Sequence, residues 1–279
     1  MKQIALNDFV IGGGTPFVLI AGPCVIESEE RTRDIAVQLK EMTDDLAIPF
    51  IFKASYDKAN RTSKDSFRGP GLEEGLRILE QIKDELSIPV LSDVHRFGEI
   101  EKASKVLDVM QVPAFLCRQT DFVMEIARQK KIVNIKKGQF LSPWDVRHVL
   151  EKVLHAGNDD VILTERGVSF GYNNLVADMC SLPIMRNFGY PVIFDATHSV
   201  QLPGGDGNAS GGNRNMALYL ARAAVAVGID GLFLEVHPDP ACALCDGPNS
   251  LYLDSLPVLL HTLKKLDGIV KEGGESIWN

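Results

Sequence analysis

The chain has 279 residues, of which 45% are hydrophobic and 24% are charged, and its 29 basic against 37 acidic side chains give a net charge of −8. The apolar fraction excludes an intrinsically disordered protein, because enough apolar side chains are present to form a core. The negative charge argues against a protein that binds nucleic acid or an anionic membrane, since both need a basic surface.

Short apolar runs rich in β-branched residues recur along the chain, and segments with helical periodicity lie between them. Such continuous apolar runs are typical of strands that are buried on both faces of a parallel sheet. We predict strands at 17–22, 49–54, 89–94, 108–113, 132–136, 160–165, 191–196 and 230–236. We predict helices over 28–46, 72–86, 97–106, 120–130, 144–156, 174–187, 213–227 and 252–271.

Several predicted helices carry residues that are typical of helix ends. Ser, Thr and Asp are preferred just before a helix, Pro is tolerated in its first turn, and Gly often follows its last residue. The residues that we expect to stand before helices as capping signals are Ser28, Thr120 with Asp121, and Ser142 with Pro143, and those that follow helix ends are Gly157 and Gly189.

The alternation of strands and helices predicts a single domain over residues 1–279 with the (β/α)₈ TIM barrel fold. A doubly wound open sheet is the alternative, but the chain has neither the GxGxxG turn nor the P-loop that such sheets often carry. Residues 1–14 precede the first strand and are predicted to form a hairpin that caps the barrel bottom. The glycine-rich segment 203–213 follows the seventh strand and is predicted to be a lid over the barrel mouth.

The cysteines and the absence of a long apolar run bear on the location of the protein. Five cysteines are an odd number in a long chain, which is untypical of a secreted disulfide scaffold. No run approaches the length of about 18 apolar residues that a membrane span needs. We therefore expect a cytoplasmic protein without a membrane span.

In a TIM barrel the chemistry lies at the carboxyl ends of the strands and in the loops that follow. Cations follow the second, fourth, fifth and sixth predicted strands, although the whole chain is acidic. Arg can bind a phosphate or carboxylate through two hydrogen bonds, and Lys acts as a point charge. The group therefore indicates two anionic ligands, such as two phosphorylated substrates. Its members are Lys58, Arg61, Arg118, Lys136 and Arg166.

A second group of side chains follows the first, seventh and eighth strands, which are neighbours where a barrel closes. A thiolate, an imidazole and two carboxylates suit a divalent transition ion. The group consists of Cys24, His198, Glu235 and Asp246. His237 and Asp239 are alternatives to the two carboxylates, because Glu235 and His237 share one face of the strand. A separate zinc site at Cys242 and Cys245 is not expected, since no second ligand pair accompanies this CxxC.

The chain contains in order the motifs AGPCVIES (21–28), KASYDKANRTS (53–63), FRGPGLEEG (67–75), DVH (93–95), QVPAFLCRQTD (111–121), NIKKGQF (134–140), ERGVSFGYNN (165–174), FDATHS (194–199), ASGGNR (209–214), EVHPDP (235–240) and CDGPNS (245–250). This series resembles the 3-deoxy-D-manno-octulosonate 8-phosphate synthases over nearly the whole chain. The related heptulosonate 7-phosphate synthases of the shikimate pathway carry a KPRTS-like motif where this chain has KANRTS at 58–63. The resemblance thus favours arabinose 5-phosphate as acceptor, with erythrose 4-phosphate as the alternative.

The resemblance implies an enzyme that condenses phosphoenolpyruvate, D-arabinose 5-phosphate and water to 3-deoxy-D-manno-octulosonate 8-phosphate and phosphate, for lipopolysaccharide precursor synthesis. It implies that Lys58, Lys136 and Arg166 hold phosphoenolpyruvate, and that Asn60, Arg61 and Ser63 hold the sugar phosphate. Arg118 would reach that phosphate across a subunit interface, which implies a homo-oligomer, usually a tetramer. The predicted substrate-binding residues are Lys53, Lys58, Asn60, Arg61, Ser63, Asp93, Gln111, Arg118, Lys136, Arg166 and His198, and the predicted catalytic residues are His198, Asp246, Lys136 and Asn60.

The resemblance also implies a cofactor. The metal-independent branch of these synthases has Asn where this chain has Cys24, so the match is to the metal-dependent branch. One divalent ion, Zn, Fe, Mn or Co, is expected on Cys24, His198, Glu235 and Asp246, with His237 as a neighbour. Two other classes of function stay open from the residues alone: an aldolase that forms a Schiff base on a lysine, and a sugar-phosphate sensor without activity.

Overall fold

A computed structural model describes residues 1–61, 63–204 and 211–273. Within these residues, eight parallel strands alternate with eight helices along the chain. The strands are β1 (Val18–Gly22), β2 (Phe50–Lys53), β3 (Val90–Asp93), β4 (Val109–Val112), β5 (Ile132–Lys136), β6 (Val161–Glu165), β7 (Val192–Asp195) and β8 (Gly231–His237). The helices are α1 (Glu29–Asp45), α2 (Leu72–Leu86), α3 (Phe97–Val106), α4 (Thr120–Arg128), α5 (Val146–His155), α6 (Ser181–Arg186), α7 (Arg214–Val227) and α8 (Leu256–Glu272).

The strands close into a barrel. Each strand from β1 to β7 pairs in parallel with the next along the chain. Strand β8 pairs with β7, with Gly231 opposite Ile193, and also with β1, where Glu235 lies opposite Gly22. The predicted (β/α)₈ TIM barrel is confirmed, and all strand carboxyl ends lie at one rim because the strands are parallel.

Two cores lie on either side of the barrel wall. The larger one is formed by side chains between the strands and the surrounding helices. The smaller one lies inside the barrel and joins aliphatic side chains from the amino-terminal halves of the strands to Ile4, Leu6 and Ile11. These three residues belong to an antiparallel hairpin of Ile4–Leu6 with Phe9–Ile11, which confirms the predicted N-terminal hairpin. Buried apolar contact thus attaches the hairpin to the barrel interior.

Replacement of Ile11 by Ala is expected to lower the free energy of unfolding by about 2–4 kcal/mol, because a buried Ile→Ala change loses transfer free energy and leaves a cavity. Ile11 is buried within the inner core. Urea unfolding of Ile11→Ala and of the half-buried neighbour variant Val10→Ala measures the effect. Equal losses of unfolding free energy in the two variants would contradict a specific role of Ile11 in attaching the hairpin to the barrel interior.

Most helix boundaries agree with the sequence prediction, and α6 is the main correction. The predicted helix over 174–187 is wrong in its first half, because Leu175–Val176 pairs with Val168–Ser169 in a short hairpin. Pro183 would interrupt the hydrogen bonds of the longer helix, whereas in Ser181–Arg186 it lies in the first turn, where no backbone N–H is needed.

The predicted helix starts are correct at one position and shifted at two others. The side chain of Ser28 accepts a hydrogen bond from the Arg31 backbone N at 3.2 Å and caps α1. Helix α4 begins at Thr120 itself, so Thr120 and Asp121 lie inside its first turn rather than before it. Ser142 accepts from the Asp145 backbone N at 3.3 Å and therefore caps a turn that precedes α5.

Among the described helices, none has both the length and the apolar character of a membrane-crossing segment.

Candidate active site

A cleft with about 960 Å³ of unoccupied space, part of it open to solvent, lies at the rim formed by the carboxyl ends of the strands. Parallel strands bring residues that are distant in sequence to this rim. The predicted site residues that line the cleft are Lys53, Lys58, Asn60, Arg61, Asp93, Gln111, Lys136, Arg166, His198, Glu235 and Asp246. Cys24 lies behind this surface against Asp246.

Two groups of potential metal ligands share Asp246 in the described part of the chain. In the first, Nε2 of His198 lies 3.6 Å from Oε1 of Glu235 and 3.8 Å from Oδ2 of Asp246. In the second, Sγ of Cys24 lies 3.5 Å from the same Oδ2 atom of Asp246. Asp246 therefore joins Cys24 on one side and the pair of His198 and Glu235 on the other, whereas the four predicted ligands do not form a single group among the described residues. Their role as ligands stays a prediction.

The Glu235 carboxylate shows what this group is suited to hold. It is buried, and its Oε2 atom has no hydrogen-bond partner among the residues that the structure describes. Burial by itself raises the pKa of this carboxyl group, but His198, Lys53 and Lys58 outweigh burial and hold the pKa of Glu235 well below its ordinary value. An ionised oxygen without a donor, in one group with the His198 imidazole and the Asp246 carboxylate, fits a divalent transition ion.

Cys245 belongs to this group, although the sequence analysis did not assign it to the site. Its Sγ atom lies 2.8 Å from Sγ of Cys24 and 2.8 Å from Nη1 of Arg61. Cys242, its partner in the CxxC spacing, is exposed instead. The signal that could have revealed Cys245 is its position directly before the predicted ligand Asp246.

The close packing of β1 against β2 fixes Lys53 beside Cys24. A Cβ atom at Gly22 would lie 2.0 Å from the carbonyl oxygen of Lys53, so this approach requires glycine. The Nζ atom of Lys53 donates to the carbonyl oxygen of Cys24 at 2.9 Å and to Oε1 of Glu235 at 3.0 Å. Lys53 is therefore a fixed internal positive charge beside the Glu235 carboxylate.

Asp195 orients His198. Its Oδ2 atom accepts from Nδ1 of His198 at 2.7 Å and from Nζ of Lys136, and its Oδ1 atom accepts from the backbone N of His198 at 2.9 Å. Burial acts to raise the pKa of Asp195, but His198 and Lys136 outweigh burial and lower it. With Nδ1 held in this way, Nε2 of His198 faces Glu235 and Asp246. A carboxylate behind a ligating histidine is a recurrent arrangement in metal sites, and the sequence analysis gave Asp195 no such role.

Two glutamines that the sequence analysis missed hold the Arg166 guanidinium in place. Nη1 of Arg166 donates to Oε1 of Gln139 at 3.1 Å, and Nη2 donates to Oε1 of Gln201 at 2.9 Å. The Nε atom has no partner within the described residues. Both glutamines are uncharged, and their side chains have no distinctive chemistry. The only sequence signal is that Gln139 lies within the motif NIKKGQF (134–140).

The cationic group and the metal-ligand group, which follow different strands in the sequence, are continuous in the structure. Nζ of Lys58 lies 3.6 Å from Oε1 of Glu235, and Nη1 of Arg61 lies 3.1 Å from Oδ1 of Asp246. Lys136 pairs with Asp195, which also holds the predicted ligand His198. The cleft is thus a single network of alternating charges, able to hold anions and a cation side by side.

The sequence profile of the DAHP synthetase I family matches residues 2–272. The chain belongs to this family. A 2-dehydro-3-deoxyphosphooctonate aldolase from Geobacter sulfurreducens is 61% identical over 270 residues, which cover 97% of this chain and 99% of that protein. Proteins of the same name from Geobacter metallireducens and Geotalea uraniireducens are each 62% identical, with 97% of this chain covered and 99% and 100% of theirs. That name denotes an octulosonate 8-phosphate synthase, so the resemblance found in the motifs is confirmed.

Three predicted substrate residues of this family member lie at or beyond the edge of the cleft. Asn60 is exposed at the rim. Ser63 is half-buried, and its Oγ atom accepts from the backbone N of Asp65 at 3.3 Å. Arg118 is exposed, and neither it nor Ser63 is among the described residues that line the cleft. Their roles stay predictions, and that of Arg118 needs a second subunit.

The two alternative ligands, His237 and Asp239, are engaged elsewhere. Nε2 of His237 lies 3.4 Å from Oε2 of Glu27, and Nδ1 accepts from the backbone N of Asp239 at 3.1 Å. The Asp239 carboxylate accepts from the backbone N of Ala241 at 3.2 Å. In the described part of the chain, neither residue joins a group of potential metal ligands.

The predicted lid, 203–213, is described only at its two ends. Pro203 and Gly204 line the cleft, and the strand pair of Gln201–Leu202 with Gly211–Gly212 closes the base of the segment. Residues 205–210, and with them part of the ASGGNR motif, lie outside the described residues. The lid stays a prediction whose position, next to the cleft, agrees with its described ends.

Proposed function

We propose that the protein condenses phosphoenolpyruvate with D-arabinose 5-phosphate and water, forming 3-deoxy-D-manno-octulosonate 8-phosphate and inorganic phosphate for lipopolysaccharide synthesis. The names of the full-length relatives support this reaction. The observation that carries the proposal is the cleft itself, in which Lys58, Lys136 and Arg166 face the same space as the buried Glu235 carboxylate. Two phosphorylated substrates and a divalent cation would satisfy that distribution of charge.

Phosphoenolpyruvate would be held by Lys58, Lys136 and Arg166. Arg166 supports this placement, because its guanidinium is buried at the cleft, is fixed by Gln139 and Gln201, and keeps an Nε–H without a partner in the described structure. A guanidinium fixed in this way can bind a carboxylate or phosphate with little loss of side-chain freedom.

The sugar phosphate would be held by Asn60, Arg61 and Ser63, at the outer side of the cleft. Arg118 would complete this phosphate site from a neighbouring subunit of a homotetramer. Its exposure outside the cleft of its own chain supports that role.

A divalent ion, Zn, Fe, Mn or Co, would be held by Cys24, His198, Glu235 and Asp246. When bound, it would polarise the aldehyde or orient the substrates. The unpartnered Oε2 atom of Glu235 and the fixed orientation of His198 support this assignment.

The side chains of the cleft account for the remaining chemistry. Carbon 3 of phosphoenolpyruvate would form a bond to the aldehyde carbon of the sugar with the electrons of its C2=C3 double bond. Water would add its oxygen to carbon 2, and one proton of this water would pass to the aldehyde oxygen. The resulting hemiketal phosphate expels inorganic phosphate by cleavage of its carbon–oxygen bond and leaves a ketone. Lys136 and Arg166 would offset the charge that develops on the reactants, and Asn60 would assist by holding the sugar phosphate in position for attack. His198 or Asp246 would transfer the proton.

We place the protein in the cytoplasm. All five cysteines are free thiols in the described structure, although Cys24 and Cys245 lie side by side. Free neighbouring thiols are typical of a reducing compartment.

Assays with two acceptors test the reaction. We expect phosphoenolpyruvate consumption and phosphate release with arabinose 5-phosphate, and rates lower by at least about tenfold with erythrose 4-phosphate, because a site that binds a longer hydroxylated chain loses contacts to a shorter one. Reactions without acceptor measure the background hydrolysis. Turnover with erythrose 4-phosphate alone would support the heptulosonate alternative and contradict the proposal.

A further inference from the structure

Four polar side chains form a continuous buried row across neighbouring strands of the barrel. Asp93 ends β3, Gln111 lies in β4, Asn134 in β5 and Thr164 in β6, and the register places Gln111 opposite both Asp93 and Asn134. All four are buried. Asp93 and Gln111 line the cleft, whereas Asn134 and Thr164 are not among the described residues that line it.

A hydrogen bond joins each neighbouring pair. Oγ1 of Thr164 donates to Oδ1 of Asn134 at 2.6 Å, and Nδ2 of Asn134 donates to Oε1 of Gln111 at 2.7 Å. Nε2 of Gln111 donates to Oδ1 of Asp93 at 2.5 Å, and Oγ of Ser55 donates to the other Asp93 oxygen at 2.7 Å. The bonds of the row therefore all run in one direction, from Thr164 to Asp93.

The Asp93 carboxylate imposes this direction. Burial alone would raise the pKa of Asp93, but Lys53 and Lys58 outweigh burial and hold the pKa below its ordinary value. An ionised carboxylate accepts hydrogen bonds and cannot donate them. Gln111 must therefore turn its NH₂ group toward Asp93 and its carbonyl toward Asn134. By the same argument Asn134 turns its carbonyl toward Thr164, whose hydroxyl donates.

Packing alone does not require polar side chains at these positions. One layer deeper in the barrel, the same four strands contribute Leu91, Val109, Ile132 and Ile162, which are all aliphatic. Burial of an amide or hydroxyl costs free energy unless the group is hydrogen-bonded. A polar row therefore gives the folded barrel no more stability than an aliphatic layer would. A reason for the row beyond packing is that it fixes the orientation of the Gln111 amide, the uncharged member of the row that lines the cleft.

We propose that Asn134 and Thr164 are positioning residues for phosphoenolpyruvate, which hold the Gln111 amide with one N–H on Asp93 and the other directed at an anionic oxygen of the ligand. The inference rests on the proposed function, because it takes phosphoenolpyruvate as the ligand of the cleft. Without the Thr164 hydroxyl, the Asn134 carbonyl loses its donor and the Asn134 amide can turn over. Gln111 is then no longer held in one orientation, and its carbonyl would repel the ligand when it faces the cleft.

Two substitutions at one position separate hydrogen bonding from packing. Thr164→Val removes the hydroxyl and keeps the shape, whereas Thr164→Ser keeps the hydroxyl and loses the methyl group. We expect Thr164→Val to raise the KM for phosphoenolpyruvate about fivefold to tenfold, the effect of about one hydrogen bond, with kcat changed by less than about twofold. The Kd of phosphoenolpyruvate, measured by calorimetry without acceptor, should rise equally. Thr164→Ser should keep the wild-type KM and Kd for phosphoenolpyruvate. In both variants the KM for arabinose 5-phosphate should stay at the wild-type value.

If the Thr164→Val variant binds phosphoenolpyruvate as tightly as the wild type, the inference is overturned, whatever the melting temperature of the variant. The row would then stabilise the barrel without orienting Gln111 for the ligand. An equal rise of KM in Thr164→Ser would also overturn it, since lost methyl packing would explain both variants. If Thr164→Val does not fold, Thr164→Ala replaces it in the same comparison with Thr164→Ser. A wild-type protein that consumes no phosphoenolpyruvate with either aldose phosphate contradicts the proposed function instead, which distinguishes the two failures.

Discussion

Removal of divalent metal with excess EDTA is expected to lower the rate of phosphoenolpyruvate consumption by about a hundredfold or more, and Mn²⁺, Fe²⁺, Co²⁺ or Zn²⁺ should restore it. The reason is the charge in the candidate ligand group. Glu235 keeps an ionised, buried carboxylate with an unpartnered oxygen in the described structure, and Asp195 holds His198 toward it. Metal analysis before and after chelation, with the phosphate-release assay, measures the effect.

A matched pair of cysteine variants is the control for this experiment. Cys24→Asn should weaken metal binding more than it lowers the melting temperature, because the change removes the predicted thiol ligand beside Asp246 and keeps a polar side chain of moderate size at this buried position. Cys180→Asn changes an exposed thiol and should keep both metal and activity. Full activity in excess EDTA, with no metal detected in the protein, would contradict the metal assignment.

Replacement of Lys136 by Met is expected to lower kcat/KM for phosphoenolpyruvate by about 10²–10³-fold, the usual effect of removing one fixed charge or donor that stabilises a transition state. The Nζ atom of Lys136 lies in the cleft, pairs with Asp195 and lies 3.5 Å from Nδ1 of His198. Burial lowers the pKa of Lys136, although Asp195 acts in the opposite direction. The substitution therefore removes an anion-binding group and also leaves Asp195 with one partner fewer.

Lys105→Met is the control, because Lys105 is exposed on α3 and pairs with Glu101 at 3.0 Å on the same helix. Steady-state kinetics for both substrates, with the melting temperature of each variant, complete the test. A Lys136→Met enzyme that keeps kcat/KM within about threefold of the wild type would contradict the assignment of Lys136 to phosphoenolpyruvate.

The barrel could be predicted from the sequence because its signals are local. Each strand is a short apolar run that must be buried on both faces, and each boundary differs from the prediction by at most about two residues. The prediction failed where a local signal was ambiguous. Leu175–Val176 has the apolar character of a helix face but pairs with Val168–Ser169, since hydrogen bonding to a neighbouring segment outweighed helical periodicity.

Site residues could be predicted either from distinctive chemistry at strand ends or from the motif resemblance, which also gave the uncharged Asn60 and Gln111 of the cleft. Charged or ligating side chains at strand ends, such as Lys136 and Glu235, stand out in the sequence and line the cleft. Cys245, Gln139 and Gln201 were absent from the predicted site, because their roles depend on contacts that join segments far apart along the chain.

By itself the sequence determined the barrel, the family and the side chains gathered at one rim, because repeated burial and distinctive motifs are encoded residue by residue. Only the tertiary structure decided which groups neutralise one another: Lys58 beside Glu235, Arg61 beside Asp246, and Asp195 between Lys136 and His198. It also decided that Thr164, Asn134 and Gln111 form a row of hydrogen bonds that all run in one direction. The physical reason is that charge pairing and hydrogen-bond direction depend on distances of about 3 Å between strands, and these distances exist only once the barrel has closed.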